Sequence, residues 1–217
     1  MVEYKLYVEG GGTGKHLRTE CRAGFSAFLE KAALSGTMPR IVACGSRGEA
    51  YEKFRLAVGQ GQKAFLLVDS ESPVDAEHAV GEPEIWKPWG HLRRQTGDGW
   101  SKPASTSDTD CHLMVQVMES WFLADKETLS VFFGQGFRFG ALPSQDKVEH
   151  VAKDALYRGL ASASRSCKTK ACYGKGSHSF KILALLDPTK VCAASPWAKR
   201  FIDTLKIRAT MFPILGN

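Results

Sequence analysis

Three acidic side chains closely follow short apolar segments that are typical of buried β-strands. Glu9 comes after residues 4–8, which are mostly aromatic and aliphatic, and Asp69 and Glu71 come after the continuous apolar segment 64–68. Carboxylate oxygens are the preferred protein ligands of Mg²⁺ and Mn²⁺. If the two segments are neighbouring strands, the three residues meet and form a site for one of these ions. The alternative is that Asp69 and Glu71 only cap the turn that follows them.

Three further residues have side chains suited to phosphodiester chemistry. Glu119 follows the apolar segment 112–118, and we predict it to be a catalytic residue, with an N-terminal helix charge as the alternative. Lys175 and His178 lie close together in a basic segment that contains glycine. A lysine stabilises an anionic phosphate, and a histidine exchanges protons near neutral pH. We therefore predict that both are catalytic residues that contact the reacting phosphate, with a solvated basic loop as the alternative.

Apolar segments and helical spacing alternate along the first part of the chain. Strands are predicted at residues 4–8, 40–44 and 64–68, and helices at residues 17–34 and 48–58. This β-α-β-α-β order predicts an α/β fold with a doubly wound parallel sheet. Continuous apolar strands are typical of sheets that are covered on both faces. Because the carboxyl ends of such strands build the binding site, the sheet is expected to bring the acidic residues together.

The domain organisation divides the chain near residue 130. Residues 1–130 are predicted to form the α/β core, with a loop insertion at residues 81–110 that is rich in Pro, Gly, Ser, Thr and Trp. Long loops of this kind are commonly functional. Trp86 and Trp89 lie in the insertion, and we expect them to stack on bases or to contact a partner. Residues 131–217 are predicted to be a helical, basic portion that packs on the core.

The net charge is distributed unevenly. The whole chain carries +6, but residues 1–150 contain 17 basic and 20 acidic side chains, whereas residues 151–217 contain 12 basic and 3 acidic ones. This division is expected of a protein whose acidic residues 1–150 bind cations and whose basic residues 151–217 bind a polyanion. An unevenly charged but inert surface is the alternative. The predicted nucleic-acid contacts lie in the basic segment 162–177 and are Arg165, Lys168, Lys170 and Lys175.

Several classes of protein are excluded by composition and motifs. No apolar run approaches the ~20 residues of a membrane-spanning helix, and the first residues lack the features of a secretory signal. We therefore predict a cytoplasmic protein with no membrane partner. Six cysteines occur without a CxxC spacing, which argues against a cysteine-ligated zinc or a disulfide framework. The segment 10–15 is similar to a phosphate-binding loop, but that motif needs a glycine and a hydroxyl where this chain has Glu9 and His16.

The two acidic segments resemble the Toprim (topoisomerase–primase) fold. Residues 8–10 (Val-Glu-Gly) are similar to its first-strand motif, and residues 69–71 (Asp-Ser-Glu) stand in the place of its usual Asp-x-Asp. The resemblance implies that Glu9 acts in acid–base or metal chemistry and that the acidic pair binds magnesium. Two departures are Glu71, where aspartate is usual, and Thr13, where many Toprim enzymes have aspartate.

Blocks along nearly the whole chain resemble a bacterial Toprim-like family, domain of unknown function 4276. These blocks are residues 112–115, 119–125, 173–175, 178, 187–188 and 195–196. Toprim relatives of this kind, which include OLD-type nucleases, often accompany ATPases in anti-phage loci. The resemblance implies a nuclease or related phosphodiester-processing effector that depends on Mg²⁺ or Mn²⁺, binds nucleic acid and has an ATPase partner. The alternatives are a non-catalytic subunit that binds such a partner or nucleic acid, and a nucleotide-sensing or transferase domain.

Overall fold

A four-stranded parallel sheet lies at the centre of the protein in a computed structural model that describes residues 4–144 and 147–211. The strands are β1 (Lys5–Gly11), β2 (Arg40–Gly45), β3 (Ala64–Asp69) and β4 (Cys111–Met114). Their order in the sheet is β2-β1-β3-β4, and each neighbouring pair is parallel. The predicted α/β class and the parallel sheet are confirmed.

Eight α-helices accompany the sheet within the described residues. They are α1 (Lys15–Leu29), α2 (Arg47–Gly59), α3 (Pro88–Arg94), α4 (Lys126–Phe133), α5 (Lys153–Ser164), α6 (Ser179–Leu183), α7 (Pro188–Ala194) and α8 (Pro196–Met211). A π-helical segment, Glu30–Leu34, continues α1, and the 3-10 segment Met118–Asp125 precedes α4. Shorter 3-10 turns lie at Ala76–His78, Pro83–Ile85, Asp108–Asp110, Phe139–Ala141 and Val148–His150.

Helices cover both faces of the sheet. Leu6 and Val8 of β1 belong to the same apolar cluster as Phe25 of α1. The alternate residue Tyr7 belongs to the cluster on the opposite face, with Phe54 of α2. Side chains of a strand alternate between its two faces, so α1 and α2 lie on opposite sides and the sheet is doubly wound, as predicted. From β1 the chain continues to β2, the neighbour of β1 on one side, and then crosses to β3, its neighbour on the other side. This reversal makes the β1–β3 boundary the topological switch point.

The segment 81–110 is not the open loop that its composition predicts. It contains α3, and its rings are buried against other elements instead of facing solvent. Trp86 lies 4.7 Å from Trp197, and Trp89 lies 6.0 Å from Phe54, between ring centroids. The expectation that Trp86 and Trp89 stack on bases is therefore wrong. Burial of their large apolar area stabilises the packed insertion more than exposure in a loop would.

The C-terminal helices share a hydrophobic core with the sheet. Phe180 of α6 and Phe201 of α8 belong to the same buried cluster as Leu6 of β1. The residues after 130 are largely helical, as expected, although the predicted boundary at residue 130 falls inside α4. Division of the chain into two portions stays a prediction. Among the described residues, no helix combines the length and apolar character needed to cross a bilayer.

Arg200 joins α8 to the insertion and to β4. Its side chain donates hydrogen bonds to three carbonyl oxygens, those of Pro83 (2.7 Å), Asp108 (2.7 Å) and Cys111 (2.9 Å). It also lies 3.1 Å from Nδ1 of His112, whose pKa is held well below its usual value by burial and by the Arg200 charge. His112 is therefore a neutral residue of the core, which agrees with its position at the start of an apolar strand.

Candidate metal centre

The topological switch point brings three predicted metal ligands together. In the parallel register, Val8 of β1 lies opposite Leu67 of β3, so that both strands end at the same edge. Glu9, Asp69 and Glu71 each place one carboxylate oxygen within 4.8 Å of the others. Their convergence follows from the register, because the strands of a parallel sheet expose their carboxyl ends on one side.

Glu9 lies at the edge of this cluster, with its side chain 17% exposed. Its Oε2 accepts a hydrogen bond from the Asp69 amide at 2.9 Å and lies 3.6 Å from Nε of Arg47. Burial raises the pKa of Glu9 to about 7. The Asp69 amide and the Arg47 charge oppose this rise in pKa, while repulsion from Glu71 adds to it. Glu9 is therefore close to half-ionised at neutral pH in the metal-free protein.

Asp69 is the most deeply buried ligand of the cluster, with 4% of its surface exposed. Its Oδ1 accepts a hydrogen bond from the Met118 amide at 2.8 Å. Burial raises the pKa of Asp69 well above its usual value, and the charges of Glu9 and Glu119 raise it further. Desolvated carboxylates that repel one another are stabilised by a bound cation. The oxygen ligands and the electrostatics of the cluster thus fit a hard divalent ion.

Glu71 is held by both its backbone and its side chain. Its φ angle of 64° lies in the left-handed region, which is uncommon for residues other than glycine, and its amide donates to the Gln116 carbonyl at 2.9 Å. The carboxylate forms an ion pair with Lys153 of α5. Both side chains are partly exposed, so the pair is weak enough for another cation to displace Lys153.

Glu119 lies beside the cluster, but its carboxylate oxygens already accept hydrogen bonds from other residues. It is 1% exposed and accepts hydrogen bonds from three hydroxyl groups, those of Tyr157 (3.1 Å), Tyr173 (3.2 Å) and Ser179 (3.0 Å). Tyr157 belongs to α5, and the other two flank the segment that carries Lys175. Glu119 therefore attaches this segment and α5 to the sheet edge.

Lys175 lies at the rim of the acidic cluster, and it lines the same cavity as Glu9, Asp69 and Glu119. Burial is the largest single influence on its pKa and lowers it, but the four nearby carboxylates together raise the pKa above its usual value. Lys175 is thus a cation at neutral pH. Its Nζ lies 5.5 Å from the ring centroid of Tyr157, close enough for a cation–π contact.

A cavity of about 290 Å³ opens at this edge of the sheet. Besides the charged residues, it is lined by Gly10, Gly11, Gly12, Gly45, Leu17, Met114, Met118, Gly176, Ser179 and Phe180. Glycine is required at position 11, where φ is 87° and a Cβ atom would lie 2.7 Å from Cα of Arg18. The glycine turn after β1 therefore lets α1 approach the sheet while it leaves space in front of the carboxylates.

The structure does not bring the other predicted residues to the cavity. Among the described residues, those that line it do not include His178 or the basic residues Arg165, Lys168 and Lys170. His178 Nδ1 accepts a hydrogen bond from the Gly174 amide at 3.1 Å, and its ring packs against Phe132 and Phe133. Burial, aided by two nearby lysines, lowers the pKa of His178. This environment indicates a role in holding the loop.

The three basic residues are exposed in or beside the loop after α5. Lys170 Nζ lies 4.7 Å from the ring centroid of Phe132, and Phe132 in turn contacts the His178 ring. Arg165 and Lys168 present their side chains to solvent. Their role in nucleic-acid binding stays a prediction.

Sequence reasoning missed two cations of the site. Arg47 begins α2, whose start is fixed because Ser46 and Glu49 cap it reciprocally. Its guanidinium pairs with Asp98 at 2.7 Å and approaches Glu9. Arg47 lies three residues after the second predicted strand, the same spacing that separates Glu71 from the third, so the rule that located Glu71 would also have located it. No sequence pattern near Lys153 marks it as a site residue, since only the packing of α5 brings it to Glu71.

These features define an α/β protein with a doubly wound parallel sheet and an acidic cavity at its switch point. The chain belongs to the family described as Domain of unknown function (DUF4276), whose model matches residues 8–206. The family resemblance seen in the sequence blocks is thereby confirmed. Neither a curated protein nor a solved structure matches the chain. The wider resemblance to Toprim enzymes stays a prediction.

The raised pKa of Glu9 predicts how the stability of the metal-free protein depends on pH. Its pKa is 4.5 ordinarily and about 7 in the folded state. Its contribution is therefore fully present below pH 4.5 and is lost as the pH rises through 7. The loss amounts to about 3 kcal/mol by pH 8. Urea unfolding in the presence of a chelator should show the free energy of unfolding falling between pH 5 and 8.

The variant Glu9→Gln should flatten this decline, because the amide keeps the acceptor for the Asp69 N–H and cannot ionise. Glu52→Gln, on the exposed side of α2, is the matched control and should decline as the wild-type protein does. An equally steep decline in Glu9→Gln would contradict the assignment of this titration to Glu9.

Proposed function

We propose that this protein is a divalent-metal-dependent nuclease or a related phosphodiester-processing enzyme. The observation that supports it is the convergence of Glu9, Asp69 and Glu71 within 4.8 Å, beside a cavity that Lys175 also lines. A cluster of buried carboxylates next to a lysine suits a substrate whose reacting group is an anionic phosphodiester.

Glu9, Asp69 and Glu71 would hold Mg²⁺ or Mn²⁺, since these ions prefer oxygen ligands. Such an ion, when bound, supplies activation of water and stabilisation of charge on the phosphodiester. Lys175 binds a non-bridging phosphate oxygen and neutralises the charge that develops there. The pKa of Glu9 is about 7 without metal, and a bound cation would lower it and keep the carboxylate ionised as a ligand.

Glu119 serves this chemistry indirectly. Two of its three hydroxyl contacts fix Tyr173 and Ser179, which lie on either side of Lys175 in the chain. A fixed segment holds the lysine toward the carboxylates without the entropy cost of ordering it at each turnover. We therefore assign Glu119 a positioning role in place of the direct catalytic role expected from the sequence.

The remaining features of the proposal come from charge and family resemblance. Residues 151–217 carry 12 basic against 3 acidic side chains, and we propose that Arg165, Lys168 and Lys170 contact the phosphates of a nucleic acid. An ATPase partner and a role in bacterial anti-phage defence are parts of the same proposal, carried by the resemblance to Toprim relatives, and we propose a cytoplasmic location with them.

Titration calorimetry with Mn²⁺ tests the metal centre separately from any activity. The wild-type protein should bind one ion, and Asp69→Asn should weaken this binding by about 10-fold or more, because it removes the charge of the most buried ligand. The amide retains an oxygen for the Met118 N–H, so that the fold is preserved. Glu52→Gln should bind as the wild-type protein does. Equal binding by Asp69→Asn would rule out the centre.

Two ion pairs favour a second function, that of a non-catalytic subunit which binds an ATPase partner or nucleic acid. Lys153 pairs with Glu71 and Arg47 lies near Glu9, so the chain itself partly neutralises the cluster. Thr13 also stands where many Toprim enzymes have aspartate. A wild-type protein that binds no Mn²⁺ in the calorimetric titration would favour this second function over the enzyme.

A further inference from the structure

A second group of potential metal ligands lies between β3 and α3, outside the acidic cavity. Asp75, Glu77 and His78 each offer one ligand atom, and these atoms lie within 4.8 Å of one another. The three residues belong to the 3-10 turn Ala76–His78 and to the residue before it. The two carboxylates are exposed, whereas the histidine is buried. Because acidic residues alone would not indicate a metal site, His78 is the residue of the three that points to one.

The imidazole of His78 has a buried nitrogen that lacks a hydrogen bond. The residue is 6% exposed, and its Nε2 has no hydrogen-bond partner among the described residues. The nearest carboxylate oxygen, Oε1 of Glu77, is 3.6 Å from it, which is too long for a hydrogen bond. A buried polar atom without a partner is costly. A metal ion between Nε2 and the carboxylates would remove this cost.

The chain is shaped to keep the ring in this position. A Cβ atom at Gly90 of α3 would lie 2.7 Å from Cε1 and 2.8 Å from Nδ1 of His78. Any other residue at position 90 would therefore displace the imidazole. The His78 carbonyl also accepts a hydrogen bond from the Lys87 amide at 2.8 Å. His78 is thus held from both its backbone and its ring, with Nε2 directed to the side of Glu77.

We propose that Asp75, Glu77 and His78 form a zinc site. A set of one imidazole nitrogen and two carboxylate oxygens suits Zn²⁺, whereas Mg²⁺ prefers oxygen ligands alone. Three protein ligands leave one tetrahedral position for water. Glu77 also forms an ion pair with Arg94, but both of these side chains are more than half exposed, so the pair contributes little and yields to a divalent ion.

Zinc at this position would stabilise the segment that leads away from the candidate metal centre. His91 of α3 already contacts the Ser70 carbonyl through Nε2 at 2.9 Å, and Ser72 bonds to Gln95 at 2.9 Å. A bound ion would add a third attachment farther along the same segment. The zinc site is nevertheless independent of the proposed nuclease activity, since its ligands are different residues.

Zinc titration of the untagged protein tests this proposal. Calorimetry is carried out with Zn²⁺ in the presence of saturating Mg²⁺, which occupies any all-oxygen centre. The wild-type protein should bind one zinc ion, and Asp75→Asn and His78→Gln should each weaken that binding by about 10-fold or more. Asp75 is exposed, so its variant reports on the site even if the variant of the buried histidine does not fold.

Two controls separate this site from its surroundings. Glu82→Gln changes an exposed carboxylate nearby in the chain and should leave zinc binding unchanged. Asp69→Asn should also retain it, because the candidate metal centre is a different place. Zinc binding that is unaffected by Asp75→Asn, or that is lost in Asp69→Asn, would overturn the proposal, as would a wild-type protein that binds no zinc.

Discussion

Replacement of Asp69 by asparagine should reduce the proposed metal-dependent cleavage by roughly 10³-fold or more. Asp69 is the most buried of the three converging carboxylates, and its Oδ1 accepts the Met118 amide at 2.8 Å. Asparagine keeps that acceptor and the side-chain shape but removes the negative charge. The measurement is the rate at which single- and double-stranded DNA and RNA are cut in Mn²⁺ and in Mg²⁺.

The fold of Asp69→Asn should survive, which separates this result from simple unfolding. Repulsion from Glu9 and Glu119 raises the pKa of Asp69 in addition to the effect of burial, so a side chain that cannot ionise avoids this repulsion. Its unfolding temperature without metal should therefore equal or exceed that of the wild-type protein. Glu52→Gln, purified in the same way, should retain full cleavage. Cleavage by Asp69→Asn at the wild-type rate would point to a contaminating nuclease or to another site.

Replacement of Arg200 by methionine should have the largest effect on stability. Arg200 is 2% exposed and donates to the carbonyls of Pro83, Asp108 and Cys111. Methionine fills much of the volume but removes all three charge-assisted hydrogen bonds, and the carbonyls of Pro83 and Asp108 keep only a backbone amide as donor. The free energy of unfolding should fall by about 4 kcal/mol, and the unfolding temperature by about 10 °C.

Differential scanning calorimetry measures this change, with Arg55→Met as the matched control. Arg55 lies on the exposed side of α2 and pairs with Glu52 at 2.7 Å, and exposed pairs contribute little. Its variant should unfold at the same temperature as the wild-type protein. A loss of less than about 1 kcal/mol in Arg200→Met would show that the insertion is held mainly by its buried tryptophans.

Local sequence pattern was sufficient for the sheet. The second and third strands were predicted within a residue of their observed ends, Arg40–Gly45 and Ala64–Asp69, because continuous apolar residues bounded by Gly or Asp carry a strong strand signal. Helices α3 and α7 were missed. Each has seven residues, and helices of that length are stable mainly through the apolar surface that they bury against other elements.

The sequence correctly placed only those residues of the candidate site that lie at the ends of strands. Glu9 and Asp69 were expected to meet because the carboxyl ends of neighbouring parallel strands lie at the same edge of a sheet. His178 was expected beside them but lies against Phe132 and Phe133, because the Gly174 amide and these rings direct its side chain. Lys153 reaches Glu71 across 82 residues of chain, and no pattern near Lys153 signals that contact.

By itself, the sequence determined the fold class, the strands and the identity of the acidic residues at the ends of two of them, since each depends on residues adjacent in the chain. Only the tertiary structure decided how deeply Asp69 is buried, which hydroxyl groups donate hydrogen bonds to Glu119 and where Nε2 of His78 lies. Burial and electrostatic repulsion act between atoms that are close in space, and distant parts of the chain supply most of those atoms.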